Sequence, residues 1–171
     1  MNGHITRLFV AVWPPDDVIE ELCALHRKDQ RGVRFVQPEN WHVTLRFLGD
    51  ANTAEVVAAL DGVVLPQTRA RLGPAVDVLA ERALVVPVAG LDDLATTVLA
   101  RTRGIGERAP KRFVGHLTVA RVKHDAPMPR ALGALCSAEF DVAEIALVQS
   151  RLDPRGARYE TLATWSVSSP G

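Results

Sequence analysis

Trp41–Asp50 reads WHVTLRFLGD, and a shortened version of it, GHLTVARV, returns at Gly115–Val122. Both are apolar runs carrying a histidine and, two places on, a threonine. Side chains along a β-strand alternate between faces. His42 and Thr44 therefore share one face while Val43, Leu45 and Phe47 favour the other, and His116 and Thr118 share a face opposite Leu117 and Val119. Each run reads as a core strand that presents an imidazole and a hydroxyl away from the core. The histidines stand 116 − 42 = 74 residues apart, too far for a short-period array. The repeat predicts two lobes meeting across a cleft.

The surroundings fill in the lobes. RLFVAVW (Arg7–Trp13) is β-rich, and Pro14-Pro15-Asp16-Asp17 supplies the proline and acids that open a helix, with Val18, Ile19, Leu22 and Leu25 on one apolar face. Val33–Pro38 predicts a short strand. Gly49 is expected to end the first motif strand. A second helix is expected from Asn52, with Glu55 three places on as in a capping box and Val56, Val57 and Leu60 as its buried stripe. Two β-rich runs follow at 69–79 and 83–88, then a helix through Leu91, Leu94 and Val98 that stops at Gly104. After the second motif a short helix is expected beyond Pro129, then strands at 142–152 and 158–167 around the turn Asp153-Pro154-Arg155-Gly156. This hairpin-rich alternation predicts an α+β fold in one two-lobed domain spanning residues 1–171.

With 171 residues and 47% apolar content the chain can bury a core, and its formal net charge of zero argues against a general polyanion coat. Charge is nevertheless concentrated locally: Arg101–Lys123 holds seven basic residues against the single acid Glu107. The two cysteines, Cys23 and Cys136, form no CxxC and read as reduced thiols on apolar faces. The opening residues lack the pattern of a secretory signal, and no apolar run approaches the roughly 20 residues of a membrane span. A cytoplasmic protein with no membrane contact is the expectation.

H-x-T alone is weak, since His4-Ile5-Thr6 fits it as well. Context separates the three, because only His42 and His116 sit within alternating apolar strands. Imidazole titrates near neutrality, so one ring can take a proton while a second gives one up. Two such groups flanking a phosphorus suit in-line displacement at a phosphodiester, with Thr44, Thr118 and Arg121 available as donors to the non-bridging oxygens. A metal centre would need further carboxylate or cysteine ligands, which neither H-x-T triplet carries. No metal and no cofactor are expected. The absence of GxSxG, GxGxxG and GxxxxGK[ST] removes support for serine hydrolases and the common nucleotide folds.

Paired H-x-T strands, HVTLRFLG and HLTVAR, with RLFVAVWPP near the start and SRLDPRGARYETL late, resemble the two-histidine phosphoesterases, and within them the LigT-like RNA 2′,3′-cyclic phosphodiesterases, also called 2′-5′ RNA ligases. The resemblance covers almost the whole chain. It implies two antiparallel sheets related by pseudo-twofold symmetry, facing each other across a groove with helices outside. It also implies His42 and His116 as the catalytic pair, Thr44 and Thr118 as phosphate ligands, Arg121 as the clamp after the second motif and Phe47 as a nucleoside contact. Strand parity sets Arg121 and Phe47 opposite the histidines unless a bulge re-aims them. The implied reaction is metal-free hydrolysis of RNA 2′,3′-cyclic ends to 2′-phosphomonoesters by a monomer. Ligation of tRNA halves, hydrolysis of a small cyclic nucleotide and non-catalytic RNA binding are the alternatives. Arg108, Lys111 and Arg112 are candidate phosphate contacts. Tyr159 and Trp41 are candidate stacking residues that read first as packing.

Overall fold

The two motif strands lie side by side. In this computed structural model, which describes residues 3–167, β3 (Val43–Asn52) and β7 (His116–Val122) meet antiparallel through one register pair, Val43↔Leu117. From this seam one half of the sheet runs outward through β1 (Ile5–Val12), β9 (Glu144–Asp153) and β10 (Gly156–Ser166). The other runs through β6 (Ala83–Ala89), β4 (Arg69–Leu72) and β8 (Ala138–Asp141). β2 (Val33–Phe35) and β5 (Asp77–Leu79) add to β7 and β6, and every strand pairing is antiparallel. With its helices packed on one side, this is an α+β fold.

Those helices are α1 (Asp16–Leu22), α2 (Thr53–Leu60) and α3 (Asp92–Arg101). α1 buries Val18 and Leu22, α2 buries Val56 and Leu60, and α3 buries Leu94, Ala95 and Val98, all in the main core with Val43, Leu48 and Leu117. Each leucine so placed contributes about 1.5–3 kcal/mol relative to exposure. The Asn52 side chain accepts from the Glu55 N–H at 3.1 Å, capping α2 as the sequence predicts. With the helices on the core face, the His/Thr face of the seam is left open.

At four places the structure departs from the sequence pattern. β3 does not stop at Gly49 but continues to Asn52; Gly49 takes φ +66 beside a bulge in the pairing with β1, a conformation that favours glycine. After Pro129 there is a turn instead of a helix, because Gly133 at φ +81 ends it and gives its N–H to the Val76 carbonyl. The four-residue strand β8 is too short to show a period in sequence. Cys23 is exposed, since α1 turns its apolar stripe of Val18 and Leu22 inward and leaves position 23 outside.

Arg46 is the one member of the first motif strand whose placement contradicts alternation most sharply. Only 5% exposed, it gives Nε to Thr102 Oγ1 at 3.3 Å and Nη2 to the carbonyls of Ile105 and Glu107, each at 2.9 Å. Leu48, without a partner on β1, offers its carbonyl to the Glu107 N–H at 2.8 Å. Together these straps hold the loop after α3 against β3. Hydrogen bonds to a charged donor are worth about 1.5–3 kcal/mol each, offset here by burial of an unpaired cation. Arg46→Met is therefore expected to destabilise the fold by about 2–3 kcal/mol, read as a fall in the urea midpoint. An unchanged midpoint would mean that the straps add nothing.

Candidate active site

The geometry of the cleft follows from the seam. Extending the Val43↔Leu117 register by one step sets His42 across from Thr118 and Thr44 across from His116. Beyond each triplet the strand bulges at the same place. On β3, Ala11 pairs Thr44 and Val10 pairs Arg46, leaving Leu45 as the extra residue; on β7, Val85 pairs Thr118 and Leu84 pairs Ala120, leaving Val119 extra. An extra residue inverts the parity of everything after it. Arg46 is thereby turned to the core side with Val10, while Phe47 pairs Phe9 and Arg121 pairs Ala83, on the same face as the histidines. The parity conflict at Phe47 and Arg121 is resolved by two matching bulges.

His42, Thr44, Phe47, His116, Thr118 and Arg121 all line one cavity of about 240 Å³. Five further members of this wall, Arg7, Phe9, Val36, Asn40 and Ser150, have no site role in the sequence pattern, and Tyr159 reads there first as a packing residue. The alternation of Arg7, Phe9 and Ala11 along β1, continued by Trp13 just past its end, is the signal for the first two, given the pairing of β1 with β3. Among the described residues, no carboxylate lines the cavity. Trp41, by contrast, is fully buried in the core and contacts no cleft.

The two imidazoles are held in the same way. His42 Nδ1 lies 2.7 Å from the Asn40 carbonyl and His116 Nδ1 lies 2.7 Å from the Val114 carbonyl. A carbonyl only accepts, so Nδ1 carries the proton in both rings. Nε2 is then a lone pair in the neutral ring and an N–H donor in the cationic one. His42 Nε2 sits 3.1 Å from Thr44 Oγ1, whose hydroxyl can donate to it.

The rings differ in what surrounds them. His42 stacks on Phe9 with centroids 4.8 Å apart and meets Trp13 and Tyr159 edge-on at 5.5 and 5.3 Å. Burial among these rings lowers its pKa below 6.5, against the opposing pull of the Asn40 carbonyl, and the charges of His116 and Arg121 lower it further. Burial raises the Tyr159 phenol, while the fields of Arg121 and Arg7 act the other way. Phe47 is 36% exposed and carries the Arg7 guanidinium over its ring at 4.8 Å.

The sign of the His42 shift predicts a pH dependence. Between its folded pKa and 6.5 the unfolded chain binds more proton than the folded one, so the neutral ring's contribution is complete above 6.5 and is lost as pH falls through the folded value. Stability is expected to fall more between pH 7.5 and pH 5 in the wild type than in His42→Gln, measured by urea denaturation. Equal falls would remove the effect from His42.

Lys111 and Arg112 edge a second cavity that also touches Thr44, Phe47 and His116. Arg108 is not on it and lies instead with Arg103 and Glu107 on an adjoining cavity that shares Arg46, Leu99, Ala109 and Pro110 with it. Among the described residues there is no group of three or more His, Cys, Asp or Glu side chains placed to hold a metal ion, and no helix long and apolar enough to cross a membrane.

Comparison with known proteins fits this arrangement. Residues 10–72 match the family model described as LigT like Phosphoesterase. An RNA 2′,3′-cyclic phosphodiesterase of Archaeoglobus fulgidus is 31% identical, the match covering 91% of this chain and 97% of that protein. One from Thermus thermophilus is also 31% identical, over 94% of this chain and 90% of its own. The crystal structure of E. coli LigT complexed with 3′-AMP superposes with a TM-score of 0.79 over 97% of this chain and all of that one, at 22% identity, and so attests the fold. With relatives this similar over nearly their full length, the chain belongs to the LigT-like phosphoesterases of the two-histidine superfamily.

Proposed function

We propose that this protein hydrolyses 2′,3′-cyclic phosphates at RNA ends to 2′-phosphomonoesters, with His42 and His116 as the acid–base pair. The observation that carries the reading is a cleft lined by two imidazoles, two threonines and two arginines with no carboxylate among them. That lining suits an anion whose charge grows as a fifth oxygen approaches phosphorus. The similar phosphodiesterases of A. fulgidus and T. thermophilus bear names that agree.

In this mechanism water attacks phosphorus in line with the 3′ oxygen. One Nε2 takes the water proton, and the opposite Nε2–H protonates the departing O3′ as the P–O3′ bond breaks. The bonds from Nδ1 to Asn40 and Val114 keep both rings turned with Nε2 outward. Thr44 and Thr118 donate to the non-bridging oxygens and Arg121 neutralises them. Phe47 offers a ring to the nucleoside. All of these groups come from one chain, and the proposed steps assign no role to a metal.

A 5′-labelled oligonucleotide ending in a 2′,3′-cyclic phosphate, incubated in EDTA, is expected to yield the 2′-phosphate alone. No conversion in chelator, or phosphate at the 3′ position, would contradict the reading. A joined product when a 5′-hydroxyl RNA is added would show the same chemistry running in reverse.

A further inference from the structure

The second cavity, about 360 Å³, opens off the catalytic cleft and shares Thr44, Phe47 and His116 with it. Its floor is apolar, made by Ala95 and Leu99 of α3 and by Phe113. The charged residues on it are all basic, Lys111 and Arg112 at its edge and the buried Arg46. An apolar floor beside two exposed cations matches a nucleotide, with its base on the floor and its phosphate at the rim. In the function proposed above, the cleft takes the reacting phosphate beside His42 and His116, which line it together. Phe47, which lines both spaces, has Arg7 over its ring and stands between them.

We propose that this groove seats the nucleotide on the 5′ side of the cyclic end, with Lys111 and Arg112 on the phosphodiester that joins it to the terminal nucleoside, so that the enzyme distinguishes oligomers from mononucleotides. The proposal rests on the cyclic phosphodiesterase reading and specifies its substrate as a chain of at least two nucleotides. The occupant is an RNA strand because the groove is continuous with the reacting cleft and, among the described residues, no acid lines it. Arg46 and the Leu48–Glu107 strap fix the loop that leads to Lys111, so the rim is preformed.

The test compares kcat/KM for a dinucleotide and a mononucleotide 2′,3′-cyclic phosphate in the wild type, in Lys111→Gln/Arg112→Gln and in Thr96→Trp. Thr96 is exposed on α3 and lines the groove, so tryptophan there obstructs it without entering the core. The wild type is expected to favour the dinucleotide by about tenfold or more, the scale of one stacked base with a phosphate contact. Both variants are expected to bring that ratio to within about threefold, and the charge variant is expected to flatten the salt dependence of KM for the dinucleotide. A wild-type ratio near one, or a ratio unchanged in either variant, would overturn the proposal while leaving the phosphodiesterase reading intact. Hydrolysis of neither substrate by the wild type would overturn that reading and this proposal with it.

Discussion

Alanine at His116 is expected to lower kcat/KM on a cyclic-phosphate-ended RNA by about 10²–10⁴, equivalent to about 3–5 kcal/mol of barrier, with no change in the far-ultraviolet spectrum. The His116 side chain is half-buried at the cleft, and its Nδ1 bond to Val114 O is local, so its removal leaves the packing of Leu117 and Val119 intact. His42→Ala is expected to lose activity on the same scale and also to lose stability. It deletes the stack on Phe9 and the edge contacts to Trp13 and Tyr159, and aromatic contacts of this kind are each worth about 0.5–1.5 kcal/mol. The two variants therefore separate along a second axis, with thermal denaturation shifted for His42→Ala and unshifted for His116→Ala. Wild-type turnover by either one would remove that ring from the acid–base pair.

Arg121→Ala is expected to cost about 10²–10³ in kcat with a smaller rise in KM, because a donor aimed at developing charge acts more strongly in the transition state than on the bound substrate. The bulge at Val119 brings Arg121 to the cleft face that Thr118 also lines. Lysine at this position keeps the charge but lacks the planar fork, so Arg121→Lys should recover part of the loss. Steady-state kinetics on one oligonucleotide checks both. A loss confined to KM would make Arg121 a uniform binding group.

The same bulges explain what could and could not be read from the sequence. His42, Thr44, His116 and Thr118 precede their bulges, so strict alternation placed them together correctly. Phe47, Arg121 and Arg46 follow them, and alternation put each on the wrong face. Nothing in VTLRF or LTVAR marks Leu45 or Val119 as the extra residue, because a buried bulge residue and a buried strand residue look alike in composition. The helices were legible from caps and apolar stripes, as at Asn52 and Glu55. Alternation alone cannot place Arg7 and Ser150 at the site, nor decide between stacking and packing for Tyr159, because their membership depends on which strands pair, and β9 and β10 reach the cleft from the far end of the chain.

The central claim is that two rings from distant segments face one shared anion. Side-chain ¹H–¹⁵N spectra of the histidines, recorded while a nucleoside 2′-monophosphate is titrated in, test it most directly. The Nε2 signals of His42 and His116 are expected to move together with one dissociation constant while those of His4, His26 and His124 stay in place. Movement of only one of the two, or of neither at saturation, would contradict it.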